Sequence, residues 1–148
     1  MVSYLPLTEP DVGALIALRI AQLREEGGDG PDLTEALRDY YRRHLADGSF
    51  FAFLGREGER IVGTGGISIV EKPPWFACPS GKIGLLSSMY TAPDFRRRGI
   101  AMEILTRLTD EARLRGCATV QITASEAGMK LYTAFGFRRN GRFMDYRL

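Results

Sequence analysis

The chain has 148 residues, 45% hydrophobic, 26% charged and 10% aromatic, enough for one globular domain whose core needs no disulfide staples and too few for two. Lys and Arg outnumber Asp and Glu by only 20 to 18, so charge gives no argument for nucleic-acid binding; Lys72, Lys82 and Lys130 are the lysines and the other 17 basic residues are arginines. No run of about 18 apolar residues occurs, the start MVSYLPLTEPD has neither a basic segment nor an apolar signal core, and Cys78 and Cys117 match no metal-ligand spacing. The expectation is a soluble cytoplasmic protein with free thiols, no metal and no membrane or nucleic-acid partner.

Neither a repeat nor a low-complexity tract interrupts the chain. Val2 to Leu7 reads as a first strand. Thr8 and Asp11 have the spacing of a capping box for a helix from Glu9 to about Glu26, whose apolar stripe of Val12, Leu15, Ile16, Ile20 and Leu23 contains one polar member, Arg19. Gly27-Gly28-Asp29-Gly30-Pro31 breaks that helix, and Asp32 with Glu35 opens a second that ends near Asp47-Gly48. Ser49 to Arg56 and Arg60 to Val70, separated by Glu57-Gly58-Glu59, read as a hairpin. Lys72 to Ser80 holds three prolines and reads as a loop, followed by a strand from Lys82 to about Ala92 that Pro93 ends.

From Arg98 the period becomes helical. Ile100, Ala101, Ile104, Leu105, Leu108 and Ala112 share one face, and Gly116 stands at the stop. Ala118, Val120, Ile122 and Ala124 alternate with Thr119, Gln121 and Thr123 as a strand. A short helix from Glu126 to Phe135 follows, closed by Gly136, and Gly141 separates two final strands, Phe137 to Asn140 and Arg142 to Leu148. This order predicts an α+β fold around a sheet of mixed direction.

The segment with chemical content is Met89-Tyr90-Thr91-Ala92-Pro93-Asp94-Phe95-Arg96-Arg97-Arg98-Gly99-Ile100-Ala101, a strand passing through a tight turn into a helix. A helix start leaves backbone N–H groups unpaired and carries roughly half a positive charge, so it attracts anions. Gly99 and Ala101 let a bulky anion approach the backbone, Arg96 to Arg98 add charge, and a pyrophosphate suits such a turn. Taken alone, arginines at a strand–helix turn are more often a solvated loop. The glycine patterns of dinucleotide and P-loop sites are absent.

On these residues the chain is similar to the GNAT superfamily of acyl-CoA-dependent N-acetyltransferases. The family signature is Gln or Arg, two variable residues, Gly, one variable residue, then Gly or Ala, and Arg96-Arg97-Arg98-Gly99-Ile100-Ala101 fits each position. Leu131-Tyr132-Thr133-Ala134-Phe135-Gly136-Phe137 fits the family's LYxxxGF ending. The resemblance implies a mainly antiparallel twisted sheet of about six to seven strands with about four helices. It also implies a V-shaped splay between the strands at 82–92 and 118–124.

The resemblance further implies acetyl-CoA as co-substrate. Met89, Tyr90 and Thr91 would bond the pantetheine arm through their backbone, and Arg96, Arg97, Arg98, Gly99, Ile100 and Ala101 would cradle the pyrophosphate. Ser125 stands where the family often has a cofactor-touching Asn. Tyr132, which without context reads as a core aromatic, would place its hydroxyl near the sulfur as the catalytic acid. The reaction would be attack of a primary amine on the thioester, with a backbone N–H near Met89 and Tyr90 facing the developing oxyanion.

No base is evident: relatives with Glu or Asp on the strand before the signature differ from this chain's Ser87-Ser88, His44 reads as a surface residue, and Glu126 reads as a helix-start residue. The acidic loop after the first helix, with Glu25, Glu26, Asp29 and Asp32, borders the acceptor side in the family, and Glu26 and Asp29 are the candidates for drawing a cationic amine. Asp32 is accounted for as a helix cap. The acceptor is a small-molecule or peptide amine, and a homodimer is compatible with the sequence. A catalytically inactive acyl-CoA sensor and a nucleic-acid module on the arginine cluster are the competing functions; retention of Tyr132 weighs against the first and the low net charge against the second.

Overall fold

The computed structural model describes residues 1–148. Strands β1 (Ser3–Pro6), β2 (Phe50–Glu57), β3 (Arg60–Glu71), β4 (Lys82–Thr91) and β5 (Thr119–Gln121) form one sheet in sequential order. The first four pair antiparallel, whereas β5 runs parallel to β4. Helices α1 (Val12–Glu25) and α2 (Thr34–Asp47) cover one face of the sheet, and α3 (Ile100–Leu114) with α4 (Glu126–Phe135) covers the other.

This layering explains the sequence of β2. Phe50, Ala52 and Leu54 pack with Leu15, Ile16 and Tyr41 of the first helix layer, while Phe51 packs with Ile104, Leu105 and Leu108 of α3. Both faces are buried, so the strand reads as a continuous apolar run and not as a strict alternation. On β3, glycines admit α3 to the sheet: a Cβ at Gly63 would stand 2.6 Å from Ile100, and one at Gly65 would stand 2.8 Å from Ile104 and 2.9 Å from Leu108.

Several expected boundaries move. Pro10 starts a 3-10 turn at Glu9–Asp11 before α1, and the Thr8 hydroxyl bonds the Asp11 carboxylate (3.4 Å) where a capping box would bond backbone. Nor does Asp32 cap α2: Leu33 holds the cap position with no side-chain bond, and the Asp32 carboxylate accepts from the Thr34 N–H (3.0 Å) and hydroxyl (2.6 Å) in a turn just before the helix, with no box to Glu35. The sheet has five strands, not six or seven. Residues 137–148 form no strand, and Phe143, Met144, Tyr146 and Leu148 are exposed. An alternating pattern fixes a strand only where partner backbone repays the ordering entropy, and β5 offers three residues to this terminal segment. Asn140 instead turns the chain, accepting from the Arg142 N–H at 3.2 Å.

The expected strand at 118–124 is likewise shortened to β5. Its pairing with β4 is confined to Ile83, Gly84 and Leu85 opposite Thr119, Val120 and Gln121. Beyond Leu85, β4 continues to Thr91 with that edge open, the splay that the family resemblance implies.

Candidate active site

The open edge of β4 is shaped by a bulge. Ser88 has φ 57°, a left-handed conformation unusual for serine, and the register with β3 slips between Thr64 and Gly66. Two side chains hold it there: the Thr64 hydroxyl donates to the Ser88 carbonyl (2.8 Å), and the Tyr41 and Ser88 hydroxyls lie 3.4 Å apart. In a trans peptide the N–H points opposite to the preceding C=O, so with the Ser88 carbonyl turned to β3 the Met89 N–H points into the opening. Tyr90 pairs with Thr64 and the Ala92 N–H bonds the Val62 carbonyl, so alternation turns the backbone groups of Met89 and Thr91 to the open side and those of Tyr90 to β3.

Both open-side carbonyls are already engaged. Gln22, a buried residue of α1, donates from Nε2 to the Met89 oxygen at 3.1 Å. Arg96 donates from Nε to the Thr91 oxygen (2.9 Å) and from Nη2 to Glu25 (2.7 Å), tying the end of β4 to the end of α1. The N–H groups of Met89 and Thr91 remain for a ligand running along the edge.

After β4 the chain passes through the 3-10 turn Pro93–Phe95 into α3. Asp94 is gripped bidentately by Arg60 (2.7 and 2.9 Å), which holds its carboxyl below the usual carboxylate range. Arg98 bonds the Asp94 carbonyl (3.0 Å) and stacks over Phe95. Arg97 (φ 62°) and Gly99 (φ 80°) are both left-handed, and from Arg97 through Met102 no backbone N–H donates to an acceptor in the chain. Successive unpaired N–H groups at the start of a 15-residue helix suit an anion.

The signature residues thus divide by task. Arg96 and Arg98 build the turn, Ile100 buries its side chain against β3 and offers only its N–H, Ala101 is half-buried, and Arg97 keeps an exposed, unpaired guanidinium.

Across the opening, Ser125 caps α4 by accepting from the Gly128 N–H at 3.2 Å. Gly128 makes room for Tyr132, since a Cβ there would stand 2.7 Å from its ring. The Tyr132 ring is 6% exposed and packs edge-on against Phe137, 5.6 Å between centroids. Burial first, and then the Glu26 carboxylate, push its phenol up to about 12. Its hydroxyl bonds no group of the chain.

Glu26 and Asp29, paired in the sequence reading, part company here. Glu26 accepts from Gln22 Nε2 (3.3 Å) and faces Tyr132, whereas the Asp29 carboxylate turns back on the Gly30 N–H (2.9 Å). Sequence reasoning missed Gln22. Its signal was present in the series Leu15, Arg19, Gln22, Glu26, one helical stripe that turns from apolar to polar toward the opening. His44 bonds Ser49 (2.6 Å) at the end of α2. No three His, Cys, Asp or Glu side chains gather as a metal site, and no helix is long and apolar enough to cross a membrane.

Residues 15–137 match the model of the Acetyltransferase (GNAT) family. The chain is 31% identical over 147 residues to an uncharacterized N-acetyltransferase, YedL, of Escherichia coli, covering 96% of this chain and 84% of that one. It is 33% identical over 141 residues to the N-alpha-acetyltransferase RimI of Mycobacterium tuberculosis, covering 90% and 82%. A crystal structure of a predicted acetyltransferase with acetyl-CoA from Clostridium acetobutylicum superposes with a TM-score of 0.95 at 28% identity, over 99% of this chain and 96% of that one. By fold, splayed strand and sequence, the chain belongs to the GNAT family of acetyltransferases.

Proposed function

We propose that this chain transfers the acetyl group of acetyl-CoA to a primary amine of a small molecule or protein. The observation that carries the reading is the free Met89 N–H on the bulged edge, in line with the unpaired N–H groups of Arg97 to Met102 at its far end. The first suits an acyl oxygen that gains negative charge, and the second suits a pyrophosphate.

When bound, acetyl-CoA supplies an acyl group activated as a thioester. The N–H groups of Gly99, Ile100 and Ala101, with the Arg97 guanidinium, would hold its diphosphate, and the Thr91 N–H would hold the arm along β4. The Met89 N–H would donate to the carbonyl oxygen. Ser125 retains a hydroxyl proton to give while its oxygen caps α4. The Tyr132 hydroxyl, which bonds no group of the chain, would be the donor to the sulfur. A phenol of about 12 stays protonated throughout the neutral range, and it is a weaker acid than an alkyl thiol of about 8.5, so Tyr132 stabilises the departing thiolate as a hydrogen-bond donor without giving up its proton. Glu26 would draw the acceptor ammonium to the opening; the neutral amine, once its proton is lost to solvent, would form the C–N bond, and as the C–S bond breaks the nitrogen would release its second proton to solvent while the departing thiolate takes one up from solvent and leaves as free thiol.

An unengaged Tyr132 hydroxyl supports an enzyme over a sensor, which has no leaving group to stabilise. The name N-alpha-acetyltransferase carried by the Mycobacterium tuberculosis relative adds support for an α-amine as acceptor. The test is release of free CoA thiol when the purified protein is mixed with acetyl-CoA and a panel of amines. Thiol release with a matching acetylated product upholds the reading; failure of acetyl-CoA to bind overturns it.

A further inference from the structure

The stripe of α1 that faces the opening carries two charges of opposite sign, Arg19 and Glu26. Neither forms an ion pair, although the chain's other partly buried arginines each have a carboxylate within reach: Arg38 has Glu35, Arg56 has Asp11 and Arg115 has Glu111. Arg19 is half-buried, and its Nη1 donates only to Gln22 Oε1, at 3.1 Å. The same Gln22 amide donates from Nε2 to Glu26 (3.3 Å) and to the Met89 carbonyl (3.1 Å). One amide group therefore stands between a guanidinium and a carboxylate and keeps them from neutralising each other. A half-buried guanidinium with a single side-chain partner keeps donors free to pair bidentately with a carboxylate.

We propose that Arg19 receives a carboxylate carried by the acceptor, and that the acceptor class is the α-amino acids, with the ammonium at Glu26 and the carboxylate at Arg19. An α-amino acid holds its two charges one carbon apart, which complements two charges set one amide apart on the wall of the opening. The ammonium end lies on the Met89 and Tyr132 side, where the amine must react. The carboxylate end lies deeper, toward Tyr41 and the Ser88 bulge. Gln22 fixes the spacing, so a simple amine fills only half the site and an amino-acid amide leaves the guanidinium unpaired.

This inference rests on the acetyltransferase reading, and the experiment separates the two. Acetyl-CoA binding is measured by calorimetry, and thiol release is then followed with the common L-amino acids, each beside its carboxamide and its decarboxylated amine. The preferred amino acid is expected to exceed both counterparts in kcat/KM by roughly 10- to 1,000-fold. Arg19→Gln should erase that preference through the KM of the amino acid, leaving the decarboxylated amine within about two-fold and the KM of acetyl-CoA unchanged, while Arg19→Lys retains part of it. If Arg19 merely propped Gln22, all three acceptors would slow alike. Equal use of amino acids and their amides, acetylation of amines but of no amino acid, or a uniform loss in Arg19→Gln overturns the proposal while acetyl-CoA binding leaves the transferase reading standing. Absence of acetyl-CoA binding overturns both.

Discussion

Gln22 and Met89 lie 67 residues apart in sequence and meet at 3.1 Å, side-chain amide to main-chain carbonyl, one residue past the bulge at Ser88. This bond fixes α1 against the free edge of β4 and sets the plane of the peptide next to the Met89 N–H. Replacing Gln22 by Met keeps similar volume and removes both ends of the amide. Gln22→Met is expected to fold, bind acetyl-CoA within a few-fold, and lose roughly 10- to 100-fold in kcat through misplacement of the reacting groups. Steady-state kinetics with a fixed acceptor checks this, and an unchanged kcat would reduce the bond to a packing contact.

Tyr132→Phe retains the ring that packs on Phe137 and deletes only the hydroxyl. Turnover should fall by roughly 100- to 1,000-fold, the loss typical of removing one hydrogen-bond donor to developing charge, with acetyl-CoA binding intact. The raised phenol makes a second, independent expectation about stability. With a folded value of about 12 against an unfolded value near 10, the folded state holds the proton more tightly, so its stabilising contribution is full below about pH 10 and is lost as pH climbs toward 12. Wild type should therefore lose thermal stability between pH 10 and 12 more steeply than Tyr132→Phe, which lacks this group. Parallel melting curves across that range would place the Tyr132 hydroxyl outside the buried setting described above.

Glu26 and Asp29 are three residues apart, yet only Glu26 acts on Tyr132. Glu26→Gln should raise the KM of a cationic acceptor several-fold, more at low ionic strength because exposed charge is screened by salt. Asp29→Asn should leave it unchanged. Equal effects of the two substitutions at low salt would mean that the loop acts as a diffuse field and not through one carboxylate.

Gly65 sits where Ile104, Leu108 and the Met89 sulfur converge. A methyl group there has no free volume, so Gly65→Ala is expected to destabilise by about 1–3 kcal/mol in chemical denaturation. Gly13, on the exposed side of α1 with open space around it, is the contrasting case. Gly13→Ala should stabilise by about 0.4–1 kcal/mol.

These positions also mark what could be read from sequence. The buried face of α3, Ile100, Ile104, Leu105, Leu108 and Ala112, follows from period alone because one amphipathic helix needs no knowledge of its partner. The signature turn is legible for the same reason, since strand, glycine and helix are local. The bulge is not: Ser88 adopts a conformation that glycine usually signals, and it is held by Thr64 and Tyr41 from distant elements. For Gln22 the polar end of the α1 stripe was legible, but its bond to the Met89 carbonyl follows only once β4 lies against α1. The two last strands failed because alternation describes a capacity to pair, whereas β5 offers only three residues for pairing and Asn140 turns the chain away.

The central claim is that the turn from β4 into α3 holds the diphosphate of acetyl-CoA, and titration calorimetry of wild type against Gly99→Glu and Gly99→Asn tests it directly. A Cβ at Gly99 meets nothing within 4 Å, so these substitutions add only left-handed strain of about 1–2 kcal/mol, less for Asn, which tolerates that conformation. The expected result is saturable acetyl-CoA binding to wild type, weaker binding to Gly99→Asn, and none to a folded Gly99→Glu, whose carboxylate occupies the anion's place. A wild type that does not bind acetyl-CoA, or a Gly99→Glu that binds it as wild type does, would contradict the account.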